Sequence, residues 1–312
     1  MRVRVRIVTT DPFLDLHPDD SAWGHGETRG TGGVRIHYVR QGRGQPVILL
    51  HGWPGFWYDW RRVLPGLAPE TDTIAPDLRG FGGSEAPDLA PEDGYNPVVM
   101  AGDVVALMDH LGIESAVVAA HDVGATVAQA LARGVPERVR ALVLLNPPYL
   151  GIGPRRFEYR AQREMWYQHL HVMRWSHELV GYNRDTVRIY LAHFYDHWLG
   201  RKESLRPAEF EAIVDVYSRP GRVEGGFNYY RARMIQRAGE SEADPGEFAI
   251  DTPTIVRWGE LDPVIPPEWS DRLSEFFPNS SLELLPGVGH FVPFEAPDEV
   301  IAAIREALAS TV

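Results

Sequence analysis

The sequence contains no cysteine. This absence excludes disulfide bonds, catalysis by a thiolate and metal sites that cysteine ligates. It leaves the cellular compartment open, because a protein without cysteine is compatible with oxidising and with reducing surroundings.

Basic residues are also fewer than acidic residues. The chain has 31 Lys and Arg residues against 43 Asp and Glu, which gives a formal net charge of -12 and a pI near 5.5. A nucleic-acid partner requires a basic surface that releases counterions from the phosphates. We therefore expect no nucleic-acid partner, and solubility is a sufficient reason for the acidity.

Long apolar runs are missing as well. No segment has the length and composition of a transmembrane helix or of a signal peptide. The first residues, Met1 to Thr10, instead alternate arginine and valine with a period of two. We expect a cytoplasmic protein, a monomer or homodimer with no membrane partner.

Short apolar runs are present, and they alternate with amphipathic segments. The runs are Pro46–Leu50, Thr73–Ala75, Ala116–Ala120, Ala141–Leu145, Thr254–Trp258 and Ser281–Leu285. Apolar residues at helical spacing occur in Trp57–Leu67, Pro97–Leu111, Ala125–Arg133 and Pro297–Leu308. Buried strands joined by crossover helices predict an α/β fold with a doubly wound, mostly parallel sheet.

The strand pattern stops between residues 147 and 247. This stretch is rich in aromatic residues, His and Arg at helical spacing, as in Glu164–Leu170. We therefore predict a helical lid at 147–247, inserted into a discontinuous catalytic domain that comprises 1–146 and 248–312.

Asp122 follows the apolar run Ala116–Ala120 and precedes a helical pattern. Ala120 and Gly124 flank it at minus two and plus two, as a sharp strand-to-helix turn with an exposed central side chain requires. Serine at this position would attack an sp³ carbon to give a stable ether, whereas a carboxylate gives an ester that water can cleave. The alternative is that Asp122 caps the next helix.

A second motif, His51-Gly52-Trp53-Pro54-Gly55, directly follows an apolar run. The backbone N–H of Trp53 could join that of Val123 to stabilise an oxyanion. A plain Gly/Pro turn is the alternative interpretation.

Two further segments complete the order nucleophile, acid, histidine. Asp262 follows the run ending at Trp258, where an acid can orient a histidine, although Glu260 competes for this role and Asp262-Pro263 could simply start a turn. His290 lies in the glycine-rich loop Gly287–Glu295, and we predict that it is the general base that activates water.

Together these segments resemble the epoxide hydrolase and haloalkane dehalogenase branch of the α/β-hydrolase superfamily. The resemblance extends from about Glu27 onward and includes the run Asp77–Ser84. It implies that Asp122 is the nucleophile, that Asp262 and His290 complete a triad, and that the lid carries the groups that select the leaving group.

The lid residues favour an epoxide over a halide. Phe227–Ala232 resembles the epoxide hydrolase segment that carries one proton-donating tyrosine, with the match on Tyr230 and Tyr229 as its competitor. Trp166-Tyr167-Gln168 resembles the segment with the other, which points to Tyr167. Haloalkane dehalogenases usually have Trp directly after the nucleophile, and fluoroacetate dehalogenases have arginines one and four residues after it. Here Val123 and Thr126 occupy those positions.

We therefore expect an epoxide hydrolase that needs water but no cofactor and no metal. A dehalogenase using Asp122 and a non-catalytic binding protein of the same fold are the alternatives. A serine esterase is disfavoured because no serine occupies the elbow, and Ser84 lacks both the small-residue pattern and the position. His169 and His171 diverge on a regular helix, so we expect these residues and His177 to pack within the lid.

Overall fold

The computed structural model describes residues 16–236 and 243–310, so the alternation predicted for Met1 to Thr10 lies outside the described residues. Eight strands form a single sheet in the order β1-β2-β4-β3-β5-β6-β7-β8. The strands are β1 (His25–Arg29), β2 (Arg35–Gly42), β3 (Gln45–Leu50), β4 (Thr71–Pro76), β5 (Ala116–His121), β6 (Val139–Leu145), β7 (Thr254–Gly259) and β8 (Ser280–Leu285).

The six apolar runs form β3 to β8, which are parallel to one another. Every residue of β4, β5 and β7 is buried, as expected for strands covered on both faces. This part of the prediction is confirmed. The two strands that the sequence analysis missed, β1 and β2, extend the sheet in antiparallel fashion.

Three of the predicted helices form. The sheet is flanked by α3 (Pro97–Leu111), α4 (Val123–Gly134) and α14 (Pro297–Ala309). In α3 the side chain of Asn96 accepts hydrogen bonds from the first turn, and Gly112 ends the helix in the left-handed region with φ 69°.

The prediction of a helix at Trp57–Leu67 is wrong. A 3-10 turn at Trp57–Trp60 and the short α1 (Leu64–Leu67) replace it. Pro65 has no backbone N–H to donate to the carbonyl of Arg61, so a helix begun at Trp57 cannot continue through it, and Pro65 instead lies in the first turn of α1.

Between β6 and β7 the described chain is helical, and we call this part the helical insertion. Its helices are α5 (Tyr159–Glu164), α6 (Trp166–Val172), α7 (Ser176–Val180), α8 (Arg184–Trp198), α9 (Pro207–Tyr217), α10 (Arg222–Gln236) and α11 (Pro245–Phe248). The short helices α2 (Pro91–Gly94), α12 (Leu273–Phe276) and α13 (Val292–Glu295) lie in loops of the sheet.

The helical insertion is attached to the sheet by buried polar contacts. The guanidinium of Arg61 pairs with the carboxylate of Glu209 on α9 at 2.8 Å, and both side chains are 1% exposed. The hydroxyl of Tyr195 on α8 donates to the carbonyl of Pro54 at 2.6 Å. These bonds fix α8 and α9 against the loop that follows β3.

Within the described ranges, no helix combines the length and the apolar character that a bilayer-crossing span requires.

Candidate active site

The chain turns sharply at Asp122, between the end of β5 and the start of α4. Asp122 has φ 44° and ψ -112°, a conformation that costs free energy in a residue other than glycine. A Cβ on Gly124 would lie 2.4 Å from the carbonyl oxygen of Leu50, which explains why the turn requires glycine there. The geometry is that of the predicted elbow.

The side chain of Asp122 does not cap α4, so that alternative is wrong. The backbone N–H of Trp53 donates to Oδ2 of Asp122 at 3.0 Å, and the backbone N–H of Val123 lowers the pKa of this carboxylate. The two backbone groups predicted for an oxyanion site thus converge on Asp122.

Asp122 is 7% exposed, and its surroundings act on its pKa in opposite directions. Burial raises the pKa, and the nearby Asp262 adds to the rise. His290 and the N–H groups of Trp53 and Val123 oppose it, and the net shift is upward. A carboxylate that is poorly solvated, yet held by directed donors, is a stronger nucleophile than one in water.

His290 and Asp262 are paired. Nδ1 of His290 lies 2.8 Å from Oδ2 of Asp262, and both side chains are at most 1% exposed. The other oxygen of Asp262 accepts the N–H groups of Val264 and Ile265 at 2.8 and 3.0 Å. Because a carboxylate only accepts, Nδ1 carries a proton and Nε2 is left as the basic nitrogen.

The competitor Glu260 does not contact His290. It is exposed, and its carboxylate accepts the backbone N–H of Gly287 at 3.1 Å. Of the two acids in this loop, Asp262 is therefore the partner of the histidine.

The pKa of His290 is shifted upward. Burial lowers it, but the paired Asp262 and the more distant Asp122 and Glu295 raise it, and the raising effects prevail. A raised pKa makes His290 a stronger base than a free histidine.

The sequence analysis missed the residues that hold the loop of His290. The backbone carbonyl of His290 accepts hydrogen bonds from Nε2–H of His121 at 2.7 Å and from the side-chain amide of Asn146 at 3.1 Å. Glu295 accepts the N–H groups of Gly289 and Phe291 at 2.9 and 3.1 Å. Two sequence signals could have identified these residues: His121 directly precedes the elbow, and Glu295 ends the segment that contains the glycine loop.

Tyr167 on α6 and Tyr230 on α10 are brought together. Their ring centroids are 5.5 Å apart at an interplanar angle of 83°. Burial raises the pKa of Tyr230 well above its ordinary value, and Tyr167 and Asp122 reinforce the shift. In contrast, the hydroxyl of Tyr229 lies 2.9 Å from Oγ1 of Thr126.

A cavity connects these groups, between the elbow and the helical insertion. Its lining comprises Asp122, Val123, Pro148, Ile152, Arg156, Met165, Tyr167, Gln168, Tyr229, Tyr230, Val264, Ile265 and Trp269. The nucleophile candidate and both predicted tyrosines thus face one apolar space. Arg156 and Gln168 are polar members that the sequence analysis did not select.

Ser84 has a structural role. Its buried hydroxyl donates to the carbonyl of Asp77 at 2.7 Å and accepts the N–H of His37 at 2.9 Å. Ser84 does not line the cavity of Asp122.

Three histidines of the helical insertion have different partners. His169 bonds Gln162, the buried His171 bonds the hydroxyl of Tyr190 at 2.6 Å, and His177 lies 3.5 Å from Glu224. In the part of the chain that is described, three or more His, Asp or Glu side chains nowhere group as a metal site would require.

The sheet, the elbow and the insertion define the class of α/β hydrolases. Residues 45–297 match the family model described as the alpha/beta hydrolase fold. The chain is 33% identical over 284 residues to the soluble epoxide hydrolase of Corynebacterium sp. (strain C12), which covers 86% of this chain and 92% of the relative. Epoxide hydrolase 4 of Mus musculus is 30% identical over 275 residues, covering 86% and 74%.

Among solved structures, the epoxide hydrolase CorEH without ligand superposes with a TM-score of 0.78 at 29% identity, over 92% of this chain and 98% of that one. The chain belongs to the α/β-hydrolase fold family, and within it to the branch of the epoxide hydrolases. The fold and the family that the sequence predicts are thus confirmed.

Proposed function

We propose that this protein hydrolyses epoxides to vicinal diols through a covalent ester on Asp122. The observation that carries the proposal is the shared cavity of Asp122, Tyr167 and Tyr230, together with the His290–Asp262 pair, whose histidine interacts electrostatically with Asp122. The names of the relatives support the same reaction, because they are epoxide hydrolases.

In the first step, Asp122 attacks one ring carbon of the epoxide. The N–H groups of Trp53 and Val123 hold the carboxylate, with Trp53 on Oδ2, so Oδ1 is the oxygen that forms the new carbon–oxygen bond. The ring carbon–oxygen bond breaks, and its electron pair goes to the ring oxygen.

Tyr167 and Tyr230 bind that oxygen, and one of them gives it a proton. The raised pKa of Tyr230 keeps the hydroxyl protonated before reaction. An alkoxide is a stronger base than a phenolate, so the transfer becomes favourable only as the ring opens.

In the second step, His290 removes a proton from water, which attacks the ester carbonyl carbon. The resulting oxyanion forms on the oxygen that faces the N–H groups of Trp53 and Val123. The intermediate collapses with cleavage of the bond to the alkyl oxygen, which takes the remaining proton of the attacking water and leaves as the diol. The proton on His290 returns to the tyrosinate, and Asp122 is again a carboxylate.

We further propose that residues 147–247 act as a lid over a catalytic domain formed by 1–146 and 248–312. The lid contributes Tyr167 and Tyr230, whereas the nucleophile and the base come from loops of the sheet. Substrate would bind between the two parts and displace water from the apolar cavity.

The covalent route is tested by a single turnover in ¹⁸O-labelled water, followed by mass spectrometry of the peptide that contains Asp122. Because the attacking water keeps its oxygen on the carboxylate, we expect the label in Asp122. A label found only in the diol would refute the ester. Assays of diol formation and of halide release on matched epoxides and haloalkanes separate this activity from dehalogenation.

A further inference from the structure

The loop that follows β3 presents the backbone N–H of Trp53 to the elbow. This N–H donates to Oδ2 of Asp122 at 3.0 Å. The loop lies directly against the elbow, because a Cβ on Gly52 would approach Cβ of Asp122 to 2.8 Å. The direction of the N–H therefore depends on how the loop itself is held.

The peptide group that contains this N–H is held through its carbonyl. The carbonyl of Gly52 and the N–H of Trp53 belong to one peptide group, and this carbonyl accepts the N–H of Gly55 at 3.0 Å. The N–H of Gly55 in turn shares a peptide group with the carbonyl of Pro54. That carbonyl accepts the hydroxyl of Tyr195 at 2.6 Å.

The hydroxyl of Tyr195 is thus connected to Asp122 by a chain of three hydrogen bonds that passes through two peptide groups. Hydrogen bonds in such a chain polarise one another. A bond accepted by a peptide carbonyl draws electron density from the nitrogen of the same group, which makes its N–H a stronger donor. The last donor in this chain is the N–H of Trp53.

Tyr195 lies on α8 of the helical insertion and is 3% exposed. Burial raises the pKa of Tyr195 well above its ordinary value, and Asp59 and Tyr217 add to the rise, whereas Arg61 opposes it. The hydroxyl of Tyr195 therefore keeps its proton and remains a donor throughout the neutral pH range.

We propose that Tyr195 is a positioning residue for the oxyanion, because it orients and polarises the N–H of Trp53 through the Pro54 carbonyl. This role rests on the proposed function, in which water attacks the ester of Asp122. Charge then grows on the oxygen that faces the N–H of Trp53, so a stronger and correctly directed donor lowers the barrier to ester hydrolysis.

The carbonyl of Gly52 has a second donor, which limits the expected effect. Nε2 of His51 accepts the N–H of Leu78 at 3.0 Å, so Nδ1 carries the proton and donates to the carbonyl of Gly52 at 3.0 Å. This bond remains when Tyr195 is altered. We therefore expect a loss smaller than the about 100- to 1000-fold that follows from removing an oxyanion donor itself.

The two chemical steps separate this role from mere attachment of α8. In ester formation the carboxylate of Asp122 loses charge as it attacks, so a weaker N–H donor should not slow this step. In ester hydrolysis charge grows on the same oxygen, so a weaker donor should slow that step. A tyrosine that only attached α8 to the loop would affect both steps alike.

The test is Tyr195→Phe, followed by single turnovers that resolve ester formation from ester hydrolysis. Phenylalanine keeps the ring that stacks on Phe291 at 4.7 Å and removes only the hydroxyl. We expect ester hydrolysis to slow about tenfold and ester formation to stay within about twofold of the wild-type rate. Unchanged hydrolysis, or equal slowing of both steps, would overturn the role of Tyr195.

Two other tyrosines provide matched controls. The hydroxyl of Tyr217 donates at 3.2 Å to the carbonyl of Gly55, which belongs to the next peptide group and lies outside the chain of bonds. The buried Tyr95 donates to the carbonyl of Pro87 at 2.8 Å, outside this loop. Tyr95→Phe should leave both rates unchanged, and Tyr217→Phe should slow hydrolysis less than Tyr195→Phe does. Equal effects of these last two changes would contradict the chain.

A second variant covers the case in which Tyr195→Phe does not fold. With para-aminophenylalanine at position 195, an N–H replaces the O–H as donor to the carbonyl of Pro54. An aniline is a weaker donor than a phenol, so ester hydrolysis should be slower than in the wild type while ester formation is unchanged. Hydrolysis as fast as in the wild type, or slowed together with ester formation, would refute the role.

Failure of the proposed function would look different from failure of this role. If the wild type forms no ester on Asp122, the covalent route is refuted and the role of Tyr195 with it. If an ester forms, and the wild type and Tyr195→Phe hydrolyse it equally fast, only the role of Tyr195 is refuted.

Discussion

His121 donates its Nε2–H to the backbone carbonyl of His290 at 2.7 Å, so the residue before the elbow holds the loop of the proposed base. In this tautomer Nδ1 of His121 is buried and makes no hydrogen bond within the described residues. Burial also lowers the pKa of His121 well below its ordinary value, which keeps it neutral beside His290.

Replacing His121 should therefore impair the second step more than the first. We expect His121→Ala to slow ester hydrolysis about 10- to 100-fold through misplacement of His290, with a smaller effect on ester formation. Stopped-flow single turnovers resolve the two rates. Equal slowing of both steps would count against a role confined to the loop of His290.

Tyr230 and its neighbour Tyr229 form a matched pair for testing the acid. We expect Tyr230→Phe to reduce the rate of ester formation about 100-fold, because it removes a proton donor to the leaving oxygen. Tyr229→Phe should have little effect, since its hydroxyl contacts Thr126. Rapid-quench measurement of the trapped ester gives the rate of ester formation in each variant. A larger loss in Tyr229→Phe than in Tyr230→Phe would assign the role of acid to Tyr229.

The base makes hydrolysis depend on pH in a defined direction. His290 must be neutral to accept a proton, and its pKa is raised, so ester hydrolysis should fall as the pH drops through a value above 6.5. Asp262→Asn removes the main raising influence and should move this acid limb to lower pH. The maximal rate should also fall, by up to about 10⁴-fold, because the histidine loses its orientation.

Single-turnover rates across pH measure this shift. The variant His110→Gln provides the control, since an exposed histidine on α3 should leave the profile unchanged. An unshifted acid limb in Asp262→Asn would mean that another group controls the second step.

Two glycines of α4 separate the steric requirement of the elbow from the general cost of replacing glycine. A Cβ at Gly124 would lie 2.4 Å from the carbonyl of Leu50, whereas a Cβ at Gly134 meets nothing within 4 Å. We expect Gly124→Ala to lower the free energy of unfolding by about 1–3 kcal/mol. Gly134→Ala should be neutral or stabilising by up to about 1 kcal/mol. Denaturant titrations measure both free energies of unfolding. An equal effect of the two substitutions would contradict the close approach of Gly124 to the carbonyl of Leu50.

Two acids of α9 test the attachment of the insertion. Glu209→Ala leaves the buried Arg61 without its partner and should cost about 3–5 kcal/mol. Glu211→Ala removes exposed pairs with Arg184 and Arg188 and should leave the midpoint of unfolding unchanged. A Glu209→Ala chain as stable as the wild type would show that the pair does not anchor α9.

The parallel strands were predictable because their apolar runs are continuous. In contrast, β1 and β2 alternate buried and exposed residues and carry His, Arg and Glu on their open face, so no apolar run marks them. Trp57–Leu67 has helical spacing, but spacing alone does not reveal the break between the 3-10 turn at Trp57–Trp60 and α1, just before Pro65.

For the site, the sequence predicted which residues lie in the loops that follow the strands. Because the strands are parallel, these loops meet at one edge of the sheet. The preference of His290 for Asp262 over Glu260 depends on loop conformation, which the sequence does not encode locally. The meeting of Tyr167 and Tyr230 depends on how α6 packs against α10. Such packing results from contacts far apart in the chain, and only the family resemblance pointed to this pair.

The separation of the tyrosines from the elbow has an evolutionary consequence. If the proposed roles hold, the ester-cleaving residues reside in loops of the sheet, whereas the groups that recognise the departing oxygen reside in the helical insertion. Mutation of the insertion that leaves Tyr195 in place can then change which bonds are opened without disturbing the cleavage of the ester. A chimaera with the insertion of a relative that has a tyrosine at the position of Tyr195 should acquire the relative's substrate preference and retain this protein's own rate of water attack.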